Sequence, residues 1–355
     1  MRYTKLVAAS CILFSVGAQA QSSVSLYGII DTGLTYVNNR GGHSIVYMDS
    51  GITQGSRWGL LGKEDLGGGT SVIFNLENRF TLHNGASSAM FGGWSYVGLQ
   101  SDRWGTLTFG RQYDFMAYLV LYANAMSGIY GGHPYDSDRL AGEFVNNSVR
   151  YLTPLFAGVQ AGALYGFSNA AGAFGGTAGS PRTVSFTLNY QRDDPLSWYL
   201  AYTKADGYGG SAASVLLGDA TSTTGGLGVR YTFGSSAIYA LIDHSRLSDP
   251  LSGGKTLSAT NADVGVRYSV TPALYFYPSY SYMKTGEAKA HQFNLGVDYL
   301  LSKRTDLYAL VAYQKSATAG YPAGILWITS LTSPNMGYST TDKQLAFRIA
   351  IRTRF

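Results

Sequence analysis

The sequence predicts an all-β transmembrane antiparallel β-barrel of about 16 strands, with short periplasmic turns and long external loops. Three observations carry that prediction. An export signal opens the chain, stretches of alternating polarity run to its last residue, and the connectors between them alternate between short and long. The clearest stretch is QLAFRIAIRTRF at 344–355. One face holds Leu345, Phe347, Ile349, Ile351, Thr353 and Phe355; the other holds Gln344, Ala346, Arg348, Ala350, Arg352 and Arg354. Successive side chains of a strand point to opposite faces. The first face suits hydrocarbon, and the second needs water or counter-charge. A soluble barrel requires the reverse, with a polar outside and an apolar inside.

At the start, MRYTKLVAASCILFSVGAQAQ places Arg2 and Lys5 before an apolar run from Leu6 to Val16 and then Ala18-Gln19-Ala20. This is the layout of a secretory signal, with cleavage expected after Ala20. The apolar run is shorter than the ~20 residues of a spanning helix, and Cys11 lies within it as an apolar filler. The expected organisation is therefore a signal peptide at 1–20 and one barrel domain at 21–355. Removing Arg2 and Lys5 from 26 basic residues leaves 24 against 21 acidic ones, and removing Cys11 leaves no cysteine. An exported protein without disulfides needs another source of stability, which a closed hydrogen-bonded barrel supplies. The 28 tyrosines, 45 glycines and 13% charged residues depart from a soluble domain, where roughly 25% charge is usual. Aromatic enrichment fits the interfacial girdles of a membrane barrel.

In chain order the strands are expected near 24–37, 52–64, 70–81, 91–101, 105–111, 147–153, 158–167, 182–191, 196–206, 225–233, 236–245, 262–270, 273–284, 290–301, 305–315 and 343–355. In the most regular of them the lipid-facing sets are Val184, Phe186, Leu188, Tyr190; Leu227, Val229, Tyr231, Phe233; Val264, Val266, Tyr268, Val270; and Phe293, Leu295, Val297, Tyr299, Leu301. None of these is charged, whereas the alternate positions include Asn189, Arg230, Asp263, Arg267, Asn294 and Asp298. The parity of 238–244 is ambiguous, and Pro278 within a strand requires a place where its missing donor is tolerated. Short connectors such as DLGGG, RDDP and SKRT alternate with long ones, as in outer-membrane barrels. Two connectors, 112–146 and 316–342, are long enough to suggest function. The first opens apolar, with Phe115, Met116, Tyr118, Leu119, Val120, Leu121 and Tyr122, then turns polar through His133, Asp136, Asp138, Arg139 and Glu143. Folding into the lumen would bury its apolar half on the wall and show its acids to the channel; packing over the rim is the alternative.

Parity puts Arg57, Lys63, Arg79, Arg150, Arg230, Arg267, Arg348, Arg352 and Arg354 on the water face, together with Asp31, Glu77, Asp243, Asp263, Asp298 and Asp306. Arg111 shares the parity of Leu107 and Phe109, so it reaches the lumen only where the strand bulges or ends. Facing rows of fixed charge create a transverse field and set ion preference. The alternative for any one arginine is an ion pair that only ties the wall together. Tyr27, Tyr199, Tyr239, Tyr275, Tyr277 and Tyr308 could form an aromatic track for sugars, although wall filling explains tyrosines equally well.

The chain resembles the Gram-negative general trimeric porins, in particular their beta-proteobacterial branch. The carriers are SSVSLYGIIDTGLTYV (22–37), SRWGLLGKEDLGGGT (56–70), FGRQYD (109–114), NNSVRYLTP (146–154) and the terminal Phe355. The resemblance implies a trimer of 16-stranded barrels whose third external loop, here about 112–146, folds inward as a constriction. It implies a basic wall, matched by motif at Arg57, Arg111 and Arg150, facing acids on the loop. The Pro-Glu-Phe of enterobacterial loops is absent, so the acid remains open among Asp114, Asp136, Asp138 and Glu143. The resemblance also implies that the assembly machinery reads Phe355. Expected partners are further copies of the chain, outer-membrane lipid and lipopolysaccharide, the barrel assembly machinery, and small hydrophilic solutes and ions.

Other classes are poorly supported. No cofactor or metal site is expected, and the pI of about 9.0 comes without a basic cluster that would suit nucleic acid. His43, His83, His133, His244 and His291 lie mostly in loops or at strand ends, without G-x-S-x-G, H-E-x-x-H or a cysteine pair. A barrel hydrolase, or an adhesin with a closed lumen, is the alternative to a water-filled, weakly anion-selective pore for small solutes.

Overall fold

The computed structural model describes residues 22–51, 53–87, 89–123, 144–177, 180–192, 195–208, 220–248, 256–325 and 336–355. The proposed signal peptide and the acids Asp136, Asp138 and Glu143 lie outside the described residues. The strand segments are β1 (Ser23–Arg40), β2 (His43–Ser50), β3 (Arg57–Gly67), β4 (Thr70–Arg79), β5 (Ser95–Ser101), β6 (Gly105–Tyr113), β7 (Phe144–Leu152), β8 (Val159–Gly166) and β9 (Arg182–Tyr190). They continue with β10 (Leu196–Tyr208), β11 (Ala220–Phe233), β12 (Ser236–Ser248), β13 (Thr256–Thr271), β14 (Leu274–Thr285), β15 (Ala288–Leu300), β16 (Thr305–Ser316) and β17 (Lys343–Arg354). Among the described residues there is one helix, α1 (Phe115–Ala123), which follows β6.

From β3 onward each strand pairs antiparallel with the next, and β17 returns to β1 through Ile29↔Arg354 to Val37↔Ala346. The sheet therefore closes on itself as a barrel. The 17 segments make a 16-strand barrel because β2 and β3 lie end to end along β1. The upper part of β1 pairs with β2 (Thr32↔Ser50) and the lower part with β3 (Ile29↔Arg57). The periodicity predicts a single strand from 52 and a loop at 38–51; the structure instead extends pairing to His43 and breaks it at 51–56. Gly51, at φ +72°, turns that break inward, where it is held by Asp31.

The alternation predicted from the sequence is the wall's organising feature. Phe186, Leu227, Tyr231, Val264, Tyr268, Phe293, Tyr299, Ile349 and Ile351 are exposed on the outer face, while Asn189, Asp263, Asn294, Asp298 and Arg348 are buried on the inner one. The parity of β12 resolves the same way, with Ile238 and Ile242 outward and Tyr239, Leu241 and Asp243 inward. Pro278 keeps its place opposite Leu295 of β15, and the ladder to β13 lapses between Ser279 and Phe276, where its missing N–H would have donated.

Apolar packing inside the barrel is local. Phe115, Met116 and Leu119 of α1 pack with Leu164, Tyr199, Ala201 and Leu241 on the inner wall. The helix crosses from the end of β6 to β10 and β11, so the apolar start of the 112–146 connector folds into the lumen as its composition suggests. Glycine makes the seat: a Cβ on Gly226 would come within 2.7 Å of Leu119 Cδ2, and one on Gly162 within 2.6 Å of Phe115 Cζ. A second cluster joins Ile325 and Met336 to Tyr308, Leu310, Ala312 and Ala346, so described parts of the last long connector also pack on the inner wall.

Candidate constriction site

The three motif-matched arginines stand on one side of the lumen, on β3, β6 and β7, with Arg79 of β4 among them. Arg57 opens β3 directly after the strand break and donates from Nη1 to the Gly55 carbonyl at 3.1 Å. Its Nε lies 3.3 Å from Glu77 Oε2, and Arg79 Nε lies 3.1 Å from Glu77 Oε1. Tyr27 donates to the same carboxylate at 3.0 Å. Glu77 is buried beneath these groups, with Gly93 tight against it: a Cβ there would meet Oε1 at 2.4 Å. One carboxylate thus serves two guanidiniums.

Aromatic rings also contact these arginines. Arg79 lies 4.7 Å above the Phe144 ring and bonds the Tyr113 hydroxyl. Arg111 sits 4.6 Å from the same Phe144 ring. Its position follows from a β-bulge: the β6–β7 register shifts between Gly110 and Gln112, and Gly110 has φ +136°. The residue with the wrong parity is therefore re-aimed, which is the use proteins make of bulges. Arg111 Nε then donates to the Gly92 carbonyl at 3.1 Å and Nη1 to Asn146 Oδ1 at 2.5 Å. Arg150 lies over Trp94 and Tyr118 at 5.6 and 5.3 Å, and donates to the Tyr118 hydroxyl at 2.6 Å. Trp94, Tyr113, Tyr118 and Phe144 pack edge to face and tilted, with centroids 4.1 to 6.2 Å apart.

This aromatic box escaped the sequence reading, because its members come from three separate segments with no common period. Its effect is electrostatic. A ring attracts a guanidinium through its quadrupole but carries no net charge. The box therefore positions the arginines through contacts that add no counter-charge of their own.

The other lumen charges are placed less openly than parity implies. Arg348 and Arg352 point inward, yet they are 0% and 2% exposed and do not face pore water. Arg348 pairs with Asp31 at 3.4 Å; Arg352 pairs with Asp306 at 3.1 Å and Asp298 at 3.6 Å; and Arg354 pairs with Asp306 at 2.9 Å. Asp31 also accepts from the Tyr308 hydroxyl at 2.6 Å, from the backbone N–H groups of Thr53 and Gln54, and from the Thr53 hydroxyl. All six acids assigned to the water face are buried. Lys63 is exposed. Arg230 lies 6.0 Å from the Tyr239 ring and Arg267 5.8 Å from the Tyr275 ring, on the opposite wall. Tyr199, Tyr239, Tyr277 and Tyr308 are buried in that wall, which suits filling rather than a track open to sugars.

Of the loop acids, Asp114 is fully buried and caps α1: its Oδ1 accepts from the Ala117 N–H at 3.0 Å. A carboxylate at this position satisfies an orphan helical donor. Phe355 is exposed at the end of the outer face, and its backbone exchanges hydrogen bonds with Gly28, 3.0 and 3.1 Å, at the seam of the barrel.

Comparison with known proteins identifies the family. A family model described as Gram-negative porin matches residues 6–319. An outer membrane porin protein of Bordetella pertussis is 32% identical, covering 89% of this chain and 95% of its own. Outer membrane porin protein 32 of Delftia acidovorans is also 32% identical, over 88% and 90% of the two chains. Among solved structures, the anion-selective porin from Comamonas acidovorans superposes with a TM-score of 0.80 at 25% identity, covering 94% of this chain and all of its own. The chain therefore belongs to the Gram-negative porins, as an outer-membrane barrel forming a water-filled channel for passive diffusion of ions and small hydrophilic solutes.

Proposed function

We propose that the channel is weakly anion-selective, that Arg57, Arg111 and Arg150, with Arg79, form the basic wall of its constriction, and that it works as a homotrimer. The carrying observation is the composition of that wall: four guanidiniums gather on β3, β4, β6 and β7, Glu77 pairs with Arg57 and Arg79, and aromatic rings lie against Arg79, Arg111 and Arg150. The wall acids that would offset them, Asp31, Asp298 and Asp306, are committed to buried arginines on β17. The likeness to the anion-selective Comamonas porin supports the same reading. Asp136, Asp138 and Glu143 follow α1 in the chain and are expected to trim the preference.

The test is the zero-current potential across a bilayer under a KCl gradient. Anion preference should be clear at low mean salt and fade at high salt, as the Debye length falls from ~10 Å at 0.1 M to ~3 Å at 1 M. Substituting Ser at Arg57, Arg111 and Arg150 together should move the potential toward cations. A cation preference in the unaltered channel, or no movement in the triple variant, overturns the assignment.

A further inference from the structure

We propose that Asp31 is a positioning residue for ion selectivity: by fastening the strand break at 51–56 to the wall, it fixes the direction of Arg57, the first residue after the break. The break takes the chain out of the ladder, so its N–H groups need acceptors elsewhere. One side chain supplies them. Asp31 Oδ2 accepts from the Thr53 N–H at 3.2 Å, the Gln54 N–H at 3.1 Å and the Thr53 hydroxyl. The Asp31 backbone holds the two ends. Its carbonyl accepts from the Gly51 N–H at 2.8 Å and from the Ser56 hydroxyl at 3.1 Å, and its N–H lies 3.1 Å from the same Ser56 oxygen. Hydrogen bonds to a carboxylate are about twice as strong as neutral ones, so the break is tied chiefly through this one side chain.

The anchor is itself held. Asp31 is 0% exposed, and its other oxygen, Oδ1, accepts from Tyr308 at 2.6 Å and from Arg348 at 3.4 Å. Arg352 Nη1 reaches Thr53 Oγ1 at 3.4 Å. The buried arginines of β17 thus hold the break as well as the wall. The turn has little slack: a Cβ on Gly51 would meet Gly55 Cα at 2.8 Å. Its effect on the pore passes through one carbonyl. Gly55 O accepts from Arg57 Nη1 at 3.1 Å, while Arg57 Nε lies 3.3 Å from Glu77 Oε2. A turn held in place therefore shares the guanidinium between a neutral carbonyl and a carboxylate. With the turn released, Arg57 would lose the carbonyl and settle on Glu77, which would cancel more of its charge. The inference rests on the assignment of Arg57 to the basic wall.

The test is the zero-current potential of folded channels under a KCl gradient at low mean salt. Thr53→Val with Ser56→Ala removes the two hydroxyls that bond Asp31 and changes no charge. Both residues are buried, at 1% and 2% exposure, so neither meets the solute. The anion-to-cation permeability ratio should fall by at least half of the fall that Arg57→Ser produces. In an Arg57→Ser background the same pair should add nothing, and Thr53→Ser, which keeps the hydroxyl, should match the unaltered channel. Should the double variant fail to fold, Thr53→Val alone should lower the ratio in the same direction. An unchanged ratio in the folded variant, where Arg57→Ser lowers it, makes the anchor structural only and overturns the proposal with the basic wall intact. An equal fall with and without Arg57 overturns it too, since the effect then bypasses that residue. No change on Arg57→Ser overturns the wall assignment of that residue and this inference together.

Discussion

Arg348 and Arg352 show what a residue's face does and does not determine. Period two correctly turns both inward, but each meets a carboxylate before it meets water. Arg348 is also bonded to Thr35 Oγ1 at 3.1 Å and Tyr308 Oη at 3.2 Å. Removing one partner of a buried pair strands the other charge, at a cost of roughly 3–5 kcal/mol. Asp31→Asn and Arg348→Met should each destabilise the folded barrel by about that amount. The double variant should lose less than the sum, because neither partner is then stranded. Urea unfolding in lipid vesicles measures this, and additive losses would show that the two side chains act independently. Arg111 makes the opposite case: its parity is wrong for the lumen, and the bulge at Gly110 re-aims it.

Among the elements, α1 and the broken strand β2/β3 depend most on contacts distant in sequence. The apolar content of 115–122 announces an inward segment, but its helical form comes from the Asp114 cap and from the seat on β10 and β11. That seat has little slack. A side chain at Gly226 would meet Leu119 Cδ2 at 2.7 Å, with Asp243 Cβ and the Ile242 carbonyl at 2.9 Å, so the backbone side cannot yield. Gly226→Val should therefore displace α1 toward the channel axis and lower single-channel conductance, while the barrel still folds and resists heat in detergent. Unchanged conductance would mean that the helix does not bound the pore. The break at 51–56 follows the same logic: the segment leaves the ladder and bonds Asp31 and Ser50 instead.

On the scale of the whole molecule, the outer surface is not uniform. The large exposed apolar residues on the outer face of β1–β5 are mainly aliphatic, including Val24, Leu26, Leu34, Val46, Met48, Val97 and Leu99. Those of β10–β15 include Tyr202, Tyr231, Phe233, Tyr268, Phe293 and Tyr299. Aromatic girdles mark contact with the membrane interface, so the aromatic-poor sector is the one suited to neighbouring copies. Cross-linking in mild detergent should give species up to a trimer. Because the chain beyond the proposed signal has no cysteine, a single Val97→Cys carrying a thiol-reactive photo-cross-linker should be captured by a neighbouring copy, and Tyr231→Cys should not. Only monomers, or equal linking at both sites, would defeat the trimer and its placement.

The sequence by itself determined the class of fold, the polarity of its two faces and the neighbourhood of each strand. These are local properties: a period of two is written in adjacent residues, and turn chemistry in three or four. It also marked 112–123 as apolar enough to leave solvent. Only the tertiary structure decided which charges remain open to the pore. Tyr308 reaches Asp31 across 277 residues and Arg348 reaches it across 317, and no local period encodes such pairings. The aromatic box around Arg79, Arg111 and Arg150 is assembled the same way, from β4–β7 and α1. Closing the sheet brings the last strand beside the first, and that closure commits Arg348 and Arg352 to buried ion pairs in the wall.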